Sequence, residues 1–345
     1  MKKTLIVILL ALISITSVFA QGASEVAQES VNESKNLVLI TATSSDNLNA
    51  VIPAFEEKYG IKVEIITGST GEVMARINAE KDNPSCDVTW VGEYQALTAE
   101  DLFETYVAST DSEYPEEYRN KSGIFTAVNG TCPVIVWNTE LVPDGIKGYK
   151  DLLDPSLKGK IAFGDAGTSS SAYNHLENML IDFGNGDVEA QEGWDYVEAL
   201  LKQLDGRVVN SSSATYKGVV SGEYAVGLAW DAPALQLLAS DTPNVDFCYM
   251  EEGAGSKLSG ICIIKGAKNS ENAKLLAEFL SSKEGQTLLA ENSAGACPVR
   301  TDVDLPQSKQ IMKSANIFAI DSVWSTEVKK SVQTRFTDLL TSIVK

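Results

Sequence analysis

The sequence predicts an α/β protein made of two units, each a parallel sheet with crossover helices. Three observations carry this expectation. Apolar runs of strand length alternate with helix-period segments from Leu37 onward. The alternation is interrupted and then resumes between about 140 and 240. Two apolar segments, 134–137 (VIVW) and 246–250 (DFCYM), flank that middle stretch and read as strands crossing between the units. A chain of 345 residues has room for two domains of ordinary size.

The elements follow in order. Residues 37–42 (LVLITA) form a buried strand. Residues 46–59 form a helix with Leu48, Val51, Ile52 and Phe55 on one face, stopped by Gly60. A strand at 61–66, a helix at 72–80 and a strand at 86–91 complete a strand-helix-strand-helix-strand unit, which calls for parallel pairing. The middle repeats the theme with strands at 160–163, 206–210 and 225–230. Its helices are 171–182, 193–204 and 215–221. A strand at 261–264 returns to the first unit, followed by helices at 270–281 and 283–292 and a helical tail over 307–345.

The N-terminus sets the compartment. Lys2 and Lys3 precede the apolar run 5–12 (LIVILLAL), and Val18-Phe19-Ala20 has the small-residue pattern of a cleavage site. Residues 1–20 therefore read as a secretory signal peptide, which places the mature chain in the periplasm. Residues 21–35 are polar and acidic and read as a tether. The net charge of −19 argues against nucleic acid as a partner. Five widely spaced cysteines and a single histidine exclude a CxxC zinc or redox motif and a His-rich metal site. The cysteines read as small buried hydrophobes, with disulfide pairing left open. No cofactor is called for, and a monomer is expected.

Ligands of open α/β sheets bind beyond the carboxyl ends of the strands. Those positions here are Thr43-Ser44-Ser45, Gly68-Ser69-Thr70-Gly71, Gly92-Glu93, the loop Gly167 to Ser171 containing Ser170, Ser211-Ser212-Ser213, and Trp230-Asp231. Five of the six are rich in hydroxyls or glycine. Each serine or threonine could simply cap a helix. Converging on one face, they suit an anion, because helix N-termini present free N–H groups. Glu93 and Asp231 would accept from hydroxyls or an ammonium at the far end, and Trp230 or Trp90 could stack on the solute or pack in the core. His175, one turn into its helix, has a ligand role and a structural role open to it.

Four segments carry a family likeness: 54–77 (AFEEKYGIKVEIITGSTGEVMARI), 86–93 (CDVTWVGE), 219–230 (VVSGEYAVGLAW) and 271–300 (ENAKLLAEFLSSKEGQTLLAENSAGACPVR). They resemble the periplasmic solute-binding proteins of ABC importers, in the branch that holds ferric-iron, phosphonate and sugar-phosphate binders. The resemblance implies a two-lobe type II fold, a hinge of two crossing strands and a ligand cleft between the lobes. It implies lobes at 36–133 with 254–300 and at 138–245, with C-terminal helices over 301–345 packed on them. It also implies a permease partner in the inner membrane. The branch's tyrosine pair would follow Trp230, where this chain has Asp231-Ala232-Pro233, and its ligand histidine aligns with Ser44. The family's anion loop matches Ser170-Ser171-Ala172, and its next polar position matches Ser212. The resemblance thus implies capture of a small anionic solute such as an organophosphate, a phosphonate or a sugar phosphate, without a metal. Iron held with a synergistic anion by another ligand set is the alternative. A hydrolase is a second alternative, weakened by the lack of a G-x-S-x-G elbow and by the placement of His175.

Overall fold

The computed structural model describes residues 34–209 and 211–344, so the expected signal peptide and nearly all of the expected tether lie outside the described residues. The chain opens with β1 (Asn36–Thr41), α1 (Ser45–Tyr59), β2 (Lys62–Thr67), α2 (Thr70–Ala79) and β3 (Val88–Gly92). β1 pairs in parallel with both β2 and β3, as short strand-helix-strand joins require. α1 buries Leu48, Val51, Ile52 and Phe55 against the sheet. Gly60 ends it at φ 64°, a left-handed conformation that glycine adopts without a Cβ clash.

α3 (Glu93–Leu97) leads through short helical turns to β4 (Thr126–Thr131). Then come β5 (Pro133–Asn138), β6 (Ile161–Ala162), α4 (Ser170–Phe183), α5 (Gln191–Gln203), α6 (Ser212–Val220), β7 (Val226–Trp230), α7 (Asp231–Ala239) and β8 (Val245–Cys248). The chain returns through β9 (Ala254–Ile263), α8 (Ser270–Ser281), α9 (Lys283–Asn292), β10 (Cys297–Pro298), β11 (Ile317–Ala319) and α10 (Ser322–Val344).

Two sheets result. The first has the order β10-β4-β9-β3-β1-β2, with β11 added to β9; the second has the order β6-β7-β5-β8. Apolar clusters cover both faces of the first sheet, one around Phe55 and Trp90 and one around Val73 and Phe103. A separate cluster around Tyr149, Leu176 and Leu228 fills the second. Among the described residues no helix is long and apolar enough to cross a membrane.

Four expectations need correction. The sheets are mixed, not parallel: β9 runs antiparallel to β3 and β4, and β5 runs antiparallel to β7 and β8. A chain that leaves one sheet and re-enters it from the other side arrives in the opposite direction. Segment 134–137 and residues 246–248 lie in β5 and β8, which pair within the second sheet, so the crossings fall at the ends of these strands: at Cys132, before β5, and over 249–253, which takes in the last two residues of the second segment. The strand expected at 206–210 is reduced to a single bridge between Val209 and Gly164. The tail is not uniformly helical, since β11 precedes α10. β4 (TAVNGT) and most of β9 (AGSKLSGICI) escaped the sequence reading because their glycines and polar residues lower strand propensity. Close packing explains one of those glycines. A Cβ on Gly260 would lie 2.1 Å from the carbonyl oxygen of Thr126, so a side chain there would force the β4–β9 ladder apart.

Candidate functional site

The hydroxyls at the strand ends first serve the helices that follow them. Ser44 Oγ accepts the N–H of Asn47 at 3.3 Å and caps α1. Ser69 forms a capping box with Glu72, donating its hydroxyl to Glu72 Oε2 at 2.8 Å. In the second sheet the caps are Ser169 for α4 and Ser211 for α6. Ser170, Ser171, Ser212 and Ser213 therefore stand in the first turns of these helices, one or two places inside the caps. Ser45 is exposed beside Ser44. Thr70 is set apart, lining a surface pocket with Met74 and Leu102.

One cavity of about 170 Å³ joins expected residues from both sheets: Glu93, at the end of β3, and Ser170, at the start of α4. Asn174 extends the α4 wall one turn further. Glu93 is half-buried and accepts from Ser322 Oγ at 2.6 Å. Burial raises its carboxyl above the ordinary carboxylate range, against the bond from Ser322.

The remaining walls come from residues the sequence reading passed over: Lys257 on β9, and Ser322, Ser325, Thr326 and Lys329 on α10. Lys257 Nζ lies 2.7 Å from Glu177 Oε2 and donates to Ser325 Oγ at 3.2 Å. Glu177 is 0% exposed and also accepts from Tyr173 Oη at 3.3 Å and from Ser325 Oγ. A usable signal was present in the tail. Positions 322, 325, 326 and 329 follow the i, i+3, i+4, i+7 spacing of one helix face, and here that face is polar.

Four residues weighed as solute contacts do not line this cavity. His175 is 0% exposed and faces the core of the second sheet. Its Nε2 is 2.6 Å from the carbonyl of Ala229 and its Nδ1 is 2.8 Å from Tyr149 Oη, so Nε2–H donates and Nδ1 accepts. Asp231 is 1% exposed and serves the junction of the sheets, where its Oδ2 accepts from the Cys132 N–H at 2.9 Å and from Cys297 Sγ–H at 3.1 Å. Burial pushes its carboxyl up to about 6 despite these bonds. It turns toward the junction because the first turn of α7 abuts the β4–β5 crossing. Trp230 is half-buried, edge-on to Tyr216 with ring centroids 5.7 Å apart. Trp90 is 0% exposed and donates Nε1–H to Asn129 Oδ1 at 3.2 Å, which makes it a core residue.

The buried imidazole has a measurable consequence. Burial lowers the His175 pKa to about 4 from its ordinary 6.5. The unfolded chain takes up this proton near pH 6.5, while the folded chain resists it until about pH 4. Stability from this group is therefore lost as pH falls through that window. Relative to His175→Gln, the parent should lose about 1.4 kcal/mol more per pH unit across it. Urea melts of both chains at pH 6.5 and 4.5 check this; curves that shift in parallel would mean a histidine that protonates freely in the folded state.

Comparisons with known proteins fit this architecture. The sequence pattern of the bacterial extracellular solute-binding protein family matches residues 50–319. The chain is 28% identical to the iron uptake protein A1 of Synechocystis sp., over 80% of this chain and 79% of that one. It is 26% identical to a putative 2-aminoethylphosphonate-binding periplasmic protein of Salmonella typhimurium, over 85% and 86% of the two chains. Its fold is similar to that of the periplasmic binding protein AfuA from Actinobacillus pleuropneumoniae, solved with exogenous fructose-6-phosphate bound. That match has a TM-score of 0.69 and 25% identity over 89% of this chain and 99% of the other. This chain belongs to the bacterial extracellular solute-binding protein family and has its two-lobe type II fold.

Proposed function

We propose that this chain is the periplasmic substrate-binding subunit of an ABC importer, and that it captures a small organic anion for a permease in the inner membrane. The observation that carries the reading is the cavity in which Glu93 at the end of β3 meets Ser170 in the first turn of α4. A helix start offers unpaired N–H groups and a partial positive charge, and serine hydroxyls add donors. Ser171, Ser212 and Ser213 on the second-sheet side, and Ser44, Ser45 and Ser69 on the first, are the further hydroxyls we assign to the cleft. Similarity to a 2-aminoethylphosphonate-binding protein and to a protein solved with fructose-6-phosphate favours a phosphate or phosphonate head.

In this reading 36–133 with 254–300 and 138–245 are the two lobes, and 301–345 packs across them. Bending at Cys132 and at 249–253 closes the cleft. The signal peptide directs export, and the chain binds its solute without turning it over.

Calorimetry and thermal shift with phosphate esters, phosphonates, their dephosphorylated parents and ferric citrate test this. Phosphorylated compounds should stabilise the chain by mass action, and their parents should not. Ser170→Ala should weaken every phosphorylated ligand about ten- to a hundredfold, the loss of one hydrogen bond to a charged group. Equal binding of the dephosphorylated parents would return the serines to simple helix capping. Stabilisation by ferric citrate alone would move the reading to iron, in keeping with the iron uptake relative.

A further inference from the structure

Two ammonium groups and one buried carboxylate meet where α10 crosses the cavity wall. Lys257 is balanced by Glu177, 2.7 Å away. Lys329 has no carboxylate within ion-pair distance among the described residues. Its Nζ lies 5.1 Å from the ring centroid of Tyr173 and 5.9 Å from that of Tyr94. Burial and the neighbouring Lys257 both push its ammonium below the ordinary lysine range, and Glu177 offsets this only in part. Glu93 lines the same cavity but makes no ion pair with Lys329; its carboxylate accepts from Ser322 Oγ. Lys329 is therefore a half-buried ammonium with no ion-pair partner among the described residues, beside a second ammonium, in a chain with 47 acidic residues against 28 basic ones. An unbalanced cation held away from water is costly unless an anion completes the site.

We propose that Lys329, presented by α10 beside Ser170 and Asn174, is the cationic contact for an anionic group of the bound solute. The C-terminal helix then takes part in recognition as well as in packing. A phosphoryl, phosphonate or carboxylate group supplies the required charge. The proposal rests on the anion reading above and adds to it a residue and a helix that neither strand-end geometry nor helix capping would select.

The test is calorimetry on the exported, full mature chain with inorganic phosphate, 2-aminoethylphosphonate and fructose-6-phosphate as probes. The variants are Lys329→Met, Lys329→Arg and Ser170→Ala. Met preserves packing on the two tyrosine rings and removes the charge. Lys329→Met should weaken each probe that the parent binds by about ten- to a hundredfold, with the ligand-free unfolding midpoint unchanged or raised, since the uncompensated charge is gone. Lys329→Arg should stay within a few-fold of the parent. Added salt should weaken the parent more than Lys329→Met. If Ser170→Ala weakens binding and Lys329→Met does not, this inference falls and the anion reading stands. If the parent binds none of the probes, or if both variants bind like the parent, the assignment of this cavity to an anion falls and takes the inference with it. A Lys329→Met chain whose midpoint drops in step with its affinity would assign Lys329 to packing alone and overturn the proposal.

Discussion

Glu177→Ala is expected to destabilise the folded chain by about 2–4 kcal/mol, somewhat below the full cost of breaking a buried ion pair because the Lys257 side chain keeps 27% of its surface exposed. The variant leaves Lys257 without its counter-charge and beside Lys329, and it strips an acceptor from the hydroxyls of Tyr173 and Ser325. The effect should be large because Glu177 is wholly enclosed and its partners come from α4, β9 and α10 together. The double variant Glu177→Leu with Lys257→Met should recover most of the loss, since an apolar pair of similar volume is often as stable as a buried ion pair. Urea denaturation midpoints measure both. A single-variant loss below about 1 kcal/mol would mean that water reaches the pair and that it behaves as a surface salt bridge.

Trp90→Ala should cost about 3–5 kcal/mol, because a large aromatic is deleted from a filled core. Trp90 packs in the cluster with Phe55 and Val128, and its indole N–H is taken by Asn129. The alternative use of this residue, stacking on a solute, predicts something different. Trp90→Phe keeps an aromatic ring in the core and should lose much less stability than Trp90→Ala. It should bind phosphorylated solutes as the parent does. A Trp90→Phe chain of near-parent stability that has lost its ligand would place the indole against the solute after all.

Much of this architecture is legible without coordinates. The order and kind of elements through β3 follow from apolar periodicity, and the end of α1 from Gly60. The presence of serine caps follows from residue type, and the structure puts two of them at Ser169 and Ser211, within the stretches 167–171 and 211–213. These are local features, set by contacts three or four residues apart, and a local window contains them. The four quoted segments likewise hold enough family-specific pattern to identify the solute-binding fold.

What the tertiary structure alone decided is which side chains share a space. Within its helix His175 is indistinguishable from a cleft residue; the packing of Tyr149 and β7 around it makes it a core residue. Asp231 looks like a ligand contact until the β4–β5 crossing and β10 close over it. Lys257 and Lys329 have no sequence neighbour that links them to Ser170, and only the return of β9 and the path of α10 bring the three to one cavity. Burial and cavity lining depend on contacts between residues far apart in the chain. Those contacts are made by the whole fold, so no local pattern of residues can encode them.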